Sequence, residues 1–185
     1  MANPFRILGI AGSLRRDSYN MAALKAAQKL LPDNAQLDIF TLDGIPPFNQ
    51  DKEKEPVARV TEFKEAIRHS DALLISTPEY NYSVPGVLKN AIDCASRPYG
   101  DNAFAGKTAA IMGASVGTIG TARAQYHLRQ IFVFLNVLAL NQPEVMIGNA
   151  AERFDANGNL TDEKTKALIK ELLTGLVNWT ARIST

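Results

Sequence analysis

The residues best suited to chemistry fall in three short loops. The first reads Gly9-Ile-Ala-Gly12-Ser13-Leu14-Arg15-Arg16-Asp17-Ser18-Tyr19-Asn20. It sets two serines, two arginines and an asparagine just ahead of a helical stretch. A helix N-terminus presents free N–H groups and a partial positive charge. Serine and asparagine add neutral donors, and arginine adds a full charge. That donor set suits a phosphate monoester. The loop has no Gly-Lys-Ser/Thr, so it is not a Walker loop. It also lacks Gly-x-Gly-x-x-Gly, which argues against ordinary dinucleotide binding. On spacing alone, the plainer alternative is a capped helix, with Ser18 or Asn20 as cap.

The second loop reads Ser76-Thr77-Pro78-Glu79-Tyr80-Asn81-Tyr82-Ser83-Val84-Pro85-Gly86. Two prolines stiffen it. A stiff loop can aim main-chain N–H and C=O groups at the edge of a planar heterocycle. The plain alternative is a long turn with surface tyrosines. The third loop, Gly113-Ala-Ser115-Val-Gly117-Thr-Ile-Gly120, permits close backbone approach by a ligand. Glycines also serve strand-to-helix packing, so this loop carries little by itself.

Five apolar runs precede or separate these loops: Phe5–Ile10, Leu37–Thr41, Ala72–Ser76, Thr108–Met112 and Glu144–Ile147. Each is short and nearly continuous, as a strand buried on both faces requires. Helical patterns alternate with them, over Met21–Leu31, Val57–Arg68, Val84–Ser96 and Thr121–Leu138. In the second, Val57, Val60, Phe63 and Ile67 recur at spacings of three and four. Pro85 is tolerated in a first turn. Thr161 is placed to cap a last helix. The alternation predicts an α/β fold: a doubly wound, five-stranded parallel sheet with helices on both faces, over one domain spanning 1–185. In a flavodoxin-like order 2-1-3-4-5, the loops after strands one, three and four meet at the topological switch point. A phosphate pocket, a stiff aromatic loop and a glycine loop then form a mononucleotide cleft. Flavin mononucleotide fits it, with its phosphate at the first loop and its isoalloxazine between the other two.

Composition narrows the classes. With 20 basic and 19 acidic residues the net charge is +1, which gives no electrostatic claim on nucleic acid or acidic membranes. A single cysteine, Cys94, excludes an internal disulfide and cysteine-rich metal sites; as a residue inside a helix it reads as buried and inert. His69 and His127 lie far apart, so a histidine-rich metal site is not expected. No secretory h-region is visible at the N-terminus. The apolar run Ile131–Leu140 is too short to span a bilayer. A soluble, cytoplasmic protein is expected.

The chain resembles the NADPH-dependent FMN reductase family, in the branch that includes quinone, chromate and azo-dye reductases. The matching residues are Gly12-Ser13-Leu14-Arg15 with Ser18 and Asn20, then Thr77-Pro78-Glu79-Tyr80-Asn81, followed by Pro85-Gly86-Val87-Leu88-Lys89-Asn90-Ala91-Ile92-Asp93. The resemblance implies that Ser13, Arg15, Ser18 and Asn20 hold the FMN phosphate. It sets Pro78, Glu79, Tyr80 and Asn81 along the isoalloxazine, with Ser115 and Gly117 near the ring. It implies non-covalent FMN and a ping-pong reductase fed by NADPH or NADH. The acceptor would be a small molecule such as a quinone, free flavin, azo compound or chromate. No Ser-His-Asp or paired-carboxylate arrangement is legible, which fits chemistry carried by the flavin rather than by a catalytic side chain. The alternative is a flavodoxin-like electron carrier, or a nucleotide-binding partner protein, without turnover of its own.

Assembly is expected as well. The end of the Thr121–Leu138 segment and the arc Val87, Leu88, Ala91, Ile92 and Ala95 carry more apolar surface than one sheet contact needs. A homodimer, or a homotetramer of two dimers, follows. Arg123 and Tyr126 share a helix face and are expected to meet Glu144 of another subunit.

Overall fold

A computed structural model describes residues 4–184. Residues 1–3, part of the stretch read as lacking a secretory signal, lie outside it. The elements alternate as the apolar pattern requires: β1 (Phe5–Ala11), α1 (Tyr19–Gln28), β2 (Ala35–Phe40), α2 (Ala58–His69), β3 (Ala72–Ser76), α3 (Gly86–Ala95), β4 (Thr108–Ala114) and α4 (Ala122–Leu135). Two short strands follow, β5 (Leu138–Ala139) and β6 (Val145–Ile147), then α5 (Ala150–Arg153) and α6 (Glu163–Ile183).

The sheet is parallel throughout and runs β2-β1-β3-β4-β5, the expected order. The fifth position is shared. β5 pairs with the start of β4, at Thr108 and Ala109, and β6 pairs with its end, from Met112 to Ala114. The break between α4 and β5 is made by Asn136. It adopts the left-handed conformation at φ 57° and ends α4 at Leu135, three residues short of the expected Leu138. Asparagine tolerates this conformation better than most residues and is a common helix terminator. The chain then turns extended, and the Leu138 and Leu140 N–H groups donate to Lys107 and Ala109.

Every side chain of β3 and β4 is buried, which explains their unbroken apolar character. Alternate residues feed two cores. Leu74, Ala110 and Met112 pack with Leu24 of α1 and with Leu173 and Leu176 of α6. Leu73, Ile75 and Ile111 pack with Phe63, Leu88 and Leu128 of α2, α3 and α4. The apolar arc of α3 is taken up here: Leu88, Ala91, Ile92 and Ala95 are all buried within the chain, so α3 leaves little over for a partner. In α4, Phe132 and Leu135 are buried, whereas Val133 and Phe134 are 83% and 73% exposed.

One helix cap differs from expectation and one agrees with it. Asp162, not Thr161, caps α6, accepting the Thr165 N–H at 2.8 Å; the Thr161 hydroxyl instead donates to the Arg153 carbonyl. Ser18 caps α1, accepting from the Asn20 and Met21 N–H groups. No helix among the described residues is long and apolar enough to cross a membrane.

Candidate functional site

The carboxyl ends of β1, β3 and β4 bring the three loops together, as the strand order dictates. Two clefts lie there. One, of about 180 Å³, is lined by Ser13, Arg15, Ser18, Asn20, Pro78 and Tyr80 among others. The second, of about 460 Å³, is lined by Asn81, Tyr82, Gly117, Thr118, Ile119 and Arg123 among others. Glu79 and Ser115 wall both, so the clefts adjoin. All ten residues singled out in the sequence line one or the other.

The small cleft is a donor-rich cup. The Ser13 Oγ accepts the Arg15 N–H, which leaves the Ser13 hydroxyl proton to donate. Ser18 is likewise an acceptor within the chain through its cap bonds. Arg15 is exposed, and its Nη2 is steadied by the Asp17 carbonyl at 3.2 Å. Two hydroxyls, one guanidinium and the N-terminus of α1 therefore face the same space. Asn20 is used differently from the serines. It is 3% exposed, and its Nδ2 donates to the Ala114 carbonyl while its Oδ1 accepts from the Ala114 N–H and the Ser76 hydroxyl. Its amide locks α1 to β4 and β3, so it shapes the cup more than it fills it.

The wider cleft is bounded by a tight turn and a glycine loop. Tyr80 and Ser83 exchange both main-chain bonds, at 3.1 and 2.9 Å. The residues between them, Asn81 and Tyr82, both have positive φ, 49° and 67°. Positive φ at both central positions marks a type I′ turn. For tyrosine this is an uncommon and strained conformation, of the kind that concentrates at ligand sites. On the facing wall, most glycines serve packing. A Cβ on Gly113 would meet the Thr121 Oγ1 at 1.9 Å and the Thr77 carbonyl at 2.4 Å. At Gly117 it would meet only the Ser115 Oγ, at 3.6 Å, so Gly117 faces the cleft.

Glu79 and Arg123 join the two walls. The Glu79 side chain is 6% exposed and forms an ion pair with the Arg123 guanidinium, which stacks 3.7 Å over the Tyr82 ring. Both residues expected to meet Glu144 of another subunit have partners inside the chain. Arg123 is held by Glu79, and Tyr126 meets Glu144 within the same chain, where the carboxylate pushes the phenol pKa up. Sequence spacing showed that Arg123 and Tyr126 share a helix face, but the Glu79 partner lies 44 residues away and left no local signal. His127 bonds the Ser83 hydroxyl at 2.9 Å and braces the turn from α4.

A separate cleft of about 660 Å³ lies under the segment from Pro46 to Pro56 and takes in Cys94. Its thiol is 7% exposed and points at the Pro46 carbonyl. Burial, with Asp93 beside it, pushes the thiol pKa up.

The donor set fits FMN. A cup of hydroxyls and one guanidinium at a helix N-terminus matches a phosphate, and the wider cleft between two backbone walls suits a flat ring. The comparisons agree. The chain is 52% identical to an NAD(P)H-dependent FMN reductase of Pseudomonas aeruginosa over 184 residues, 99% of each chain. It is 43% identical to a 2-hydroxy-1,4-benzoquinone reductase of a Burkholderia species, over 94% of this chain and 95% of the other. Among solved structures, the flavoenzyme NAD(P)H:(acceptor) oxidoreductase of Paracoccus denitrificans superposes with a TM-score of 0.88 at 38% identity, covering 96% of this chain and 98% of that one. The profile of the NADPH-dependent FMN reductases matches residues 5–152, and with these relatives it establishes that the chain belongs to the NADPH-dependent FMN reductase family.

Proposed function

We propose that the chain binds FMN non-covalently and uses NAD(P)H to reduce quinones. When bound, the flavin accepts reducing equivalents from the nicotinamide and passes them to the acceptor in a ping-pong cycle. One observation carries this reading: a phosphate-sized donor cup and a ring-sized cleft share Glu79 and Ser115 as common walls. Ser13, Arg15 and Ser18 hold the phosphate, and Asn20 holds the cup in shape. Pro78, Tyr80, Asn81, Ser115 and Gly117 border the ring, while Glu79 anchors the turn from below. No side chain is assigned as acid or base. Quinones are the acceptors because relatives that align along nearly the whole chain are named for them.

The protein works as a homodimer or a homotetramer in this reading. The support is the pair Val133 and Phe134, large apolar side chains left in water at the end of α4. Light scattering should give two or four times 20.2 kDa. A cytoplasmic location follows from the donor pool the reaction draws on, and cell fractionation tests it.

The test of function is direct. Purified protein loaded with FMN should oxidise NADPH when 1,4-benzoquinone is present and yield hydroquinone. A yellow protein that consumes no NADPH under these conditions overturns the proposal and leaves an electron carrier in its place.

A further inference from the structure

A cavity of about 350 Å³ adjoins the phosphate cup and shares Arg15, Ser18 and Tyr19 with it. It runs along the outside of α1, past Arg16, Ala22 and Lys25, to the turn at Asp155. Through Ala22 and Lys25 it opens into a further groove that takes in Lys29 and Lys166. This outer path has an excess of cations that the FMN phosphate does not use.

Arg16 is exposed and has no hydrogen bond or ion pair among the described residues, and the same holds for Lys25. Arg16 stands just before the N-terminus of α1. Lys25 lies two turns on, and side chains on a helix lean toward its N-terminus, so Lys25 leans back toward Arg16. The acids facing the groove are Asp17 and Asp155. Asp155 is occupied: its Oδ1 accepts the Asn157 and Asn159 N–H groups at 2.9 and 2.8 Å, its Oδ2 accepts from the Asn159 amide, and Lys29 lies near it. Asp17 alone remains to set against Arg16 and Lys25.

We propose that Arg16 and Lys25 bind the 2′-phosphate of NADPH, so that this groove selects NADPH over NADH. The inference rests on reading the chain as an NAD(P)H oxidoreductase. That reading brings a dinucleotide against the flavin, whose phosphate end lies in the cup that shares Arg15, Ser18 and Tyr19 with this groove. The 2′-phosphate is the one group that separates the two donors, and an arginine beside the nucleotide is the usual way to receive it. Arg15 is spent on the FMN phosphate, whereas Arg16, its neighbour in the chain, points its free charge into the adjoining groove. A guanidinium matches a phosphate in shape as well as charge, so Arg16 is the principal contact and Lys25 a point charge behind it.

The experiment compares FMN-loaded wild type, Arg16→Ala, Arg16→Lys and Lys25→Ala. Wild type should show a lower KM for NADPH than for NADH. In Arg16→Ala the KM for NADPH should rise about tenfold while the KM for NADH moves less than twofold. Arg16→Lys should recover part of the difference, and Lys25→Ala should lose a smaller part. Titration of 2′,5′-ADP into the same proteins reads the groove without turnover. Its affinity should fall about tenfold in Arg16→Ala, and that of 5′-ADP should not change. An unchanged NADPH-to-NADH ratio with unchanged 2′,5′-ADP affinity overturns the inference. So does a loss of bound FMN in Arg16→Ala, which would make Arg16 part of the flavin site. If wild type turns over neither donor, the functional reading fails instead, and the 2′,5′-ADP titration still decides whether the groove binds that phosphate.

Discussion

Glu79 closes the N-terminus of α4 from across the cleft: its Oε2 accepts the N–H groups of Arg123 and Ala124 at 3.0 and 3.2 Å. Thr121, the residue at the cap position itself, makes no side-chain cap bond. One carboxylate thus satisfies two orphan helix donors and neutralises a guanidinium that lies over Tyr82. Glu79→Ala should remove all three interactions and cost about 2 kcal/mol, since Arg123 stays partly in water. Calorimetry should show a melting point lower by about 4–8 °C. Glu79→Gln keeps an acceptor for the cap and should fall between. A Glu79→Ala protein as stable as wild type would mean that the cap contributes nothing.

Asn20 is the corresponding brace on the other side of the cup. Asn20→Ala strands the Ala114 N–H, the Ala114 carbonyl and the Ser76 hydroxyl in the core. Each buried polar group left without a partner costs about 1–3 kcal/mol. Urea unfolding should show a loss of about 3 kcal/mol, with FMN affinity reduced as a consequence. Asn20→Asp should do worse, because a carboxylate then faces the Ala114 carbonyl. Retained stability in Asn20→Ala would show that the three groups find other partners.

Arg15 supplies the one cationic side chain in the cup. Arg15→Ala should lower FMN affinity by about one to two decades, from the loss of a charge-assisted phosphate contact worth about 1.5–3 kcal/mol. Quenching of flavin fluorescence on binding measures it. Wild-type affinity in this variant would remove Arg15 from the phosphate site.

Tyr80 is about half exposed on the rim, at 51%, and its ring borders the cup. Tyr80→Phe should change quinone reduction only modestly. A fall of several decades in kcat with FMN still bound would instead place the phenol in proton transfer.

Asp162 makes stability pH-dependent. The Thr165 hydroxyl and N–H, and then Arg153, hold its carboxyl below the usual carboxylate range. A carboxyl whose pKa is lower folded than unfolded adds stability in full above the unfolded value of about 4, and loses it as pH falls through the folded value. Asp162→Asn should therefore melt lower than wild type near neutral pH, and the gap should narrow as the solution is acidified below about pH 4. A gap that stays constant with pH would show that the charge plays no part.

The sheet order, the three loops and their meeting point were legible because strands buried on both faces write themselves as apolar runs. Their order follows from parallel connections. What escaped reading depends on partners distant in sequence. The expected end of α4 falls three residues too late because apolar residues run from Ile131 to Leu138 on both sides of Asn136, and only the left-handed conformation of Asn136 divides helix from strand. Ser13, Arg15 and Ser18 are neighbours in sequence and line one cleft together. Asn20 and Glu79 look like members of the same loops, yet their side chains work on Ala114 and on α4. A single glycine pattern, likewise, hides packing at Gly113 and an open approach at Gly117.

The burial of Cys94 has a meaning for an enzyme that handles quinones. Quinones are electrophiles, and they alkylate thiolates faster than almost any other group a protein offers. The chain has one thiol, sheltered against Pro46, and its raised pKa keeps it protonated near neutral pH. Burial and protonation together slow attack on the chain's one sulfur. Benzoquinone at neutral pH should therefore alkylate Cys94 more slowly than it alkylates a small free thiol, as mass spectrometry of the Cys94 peptide measures.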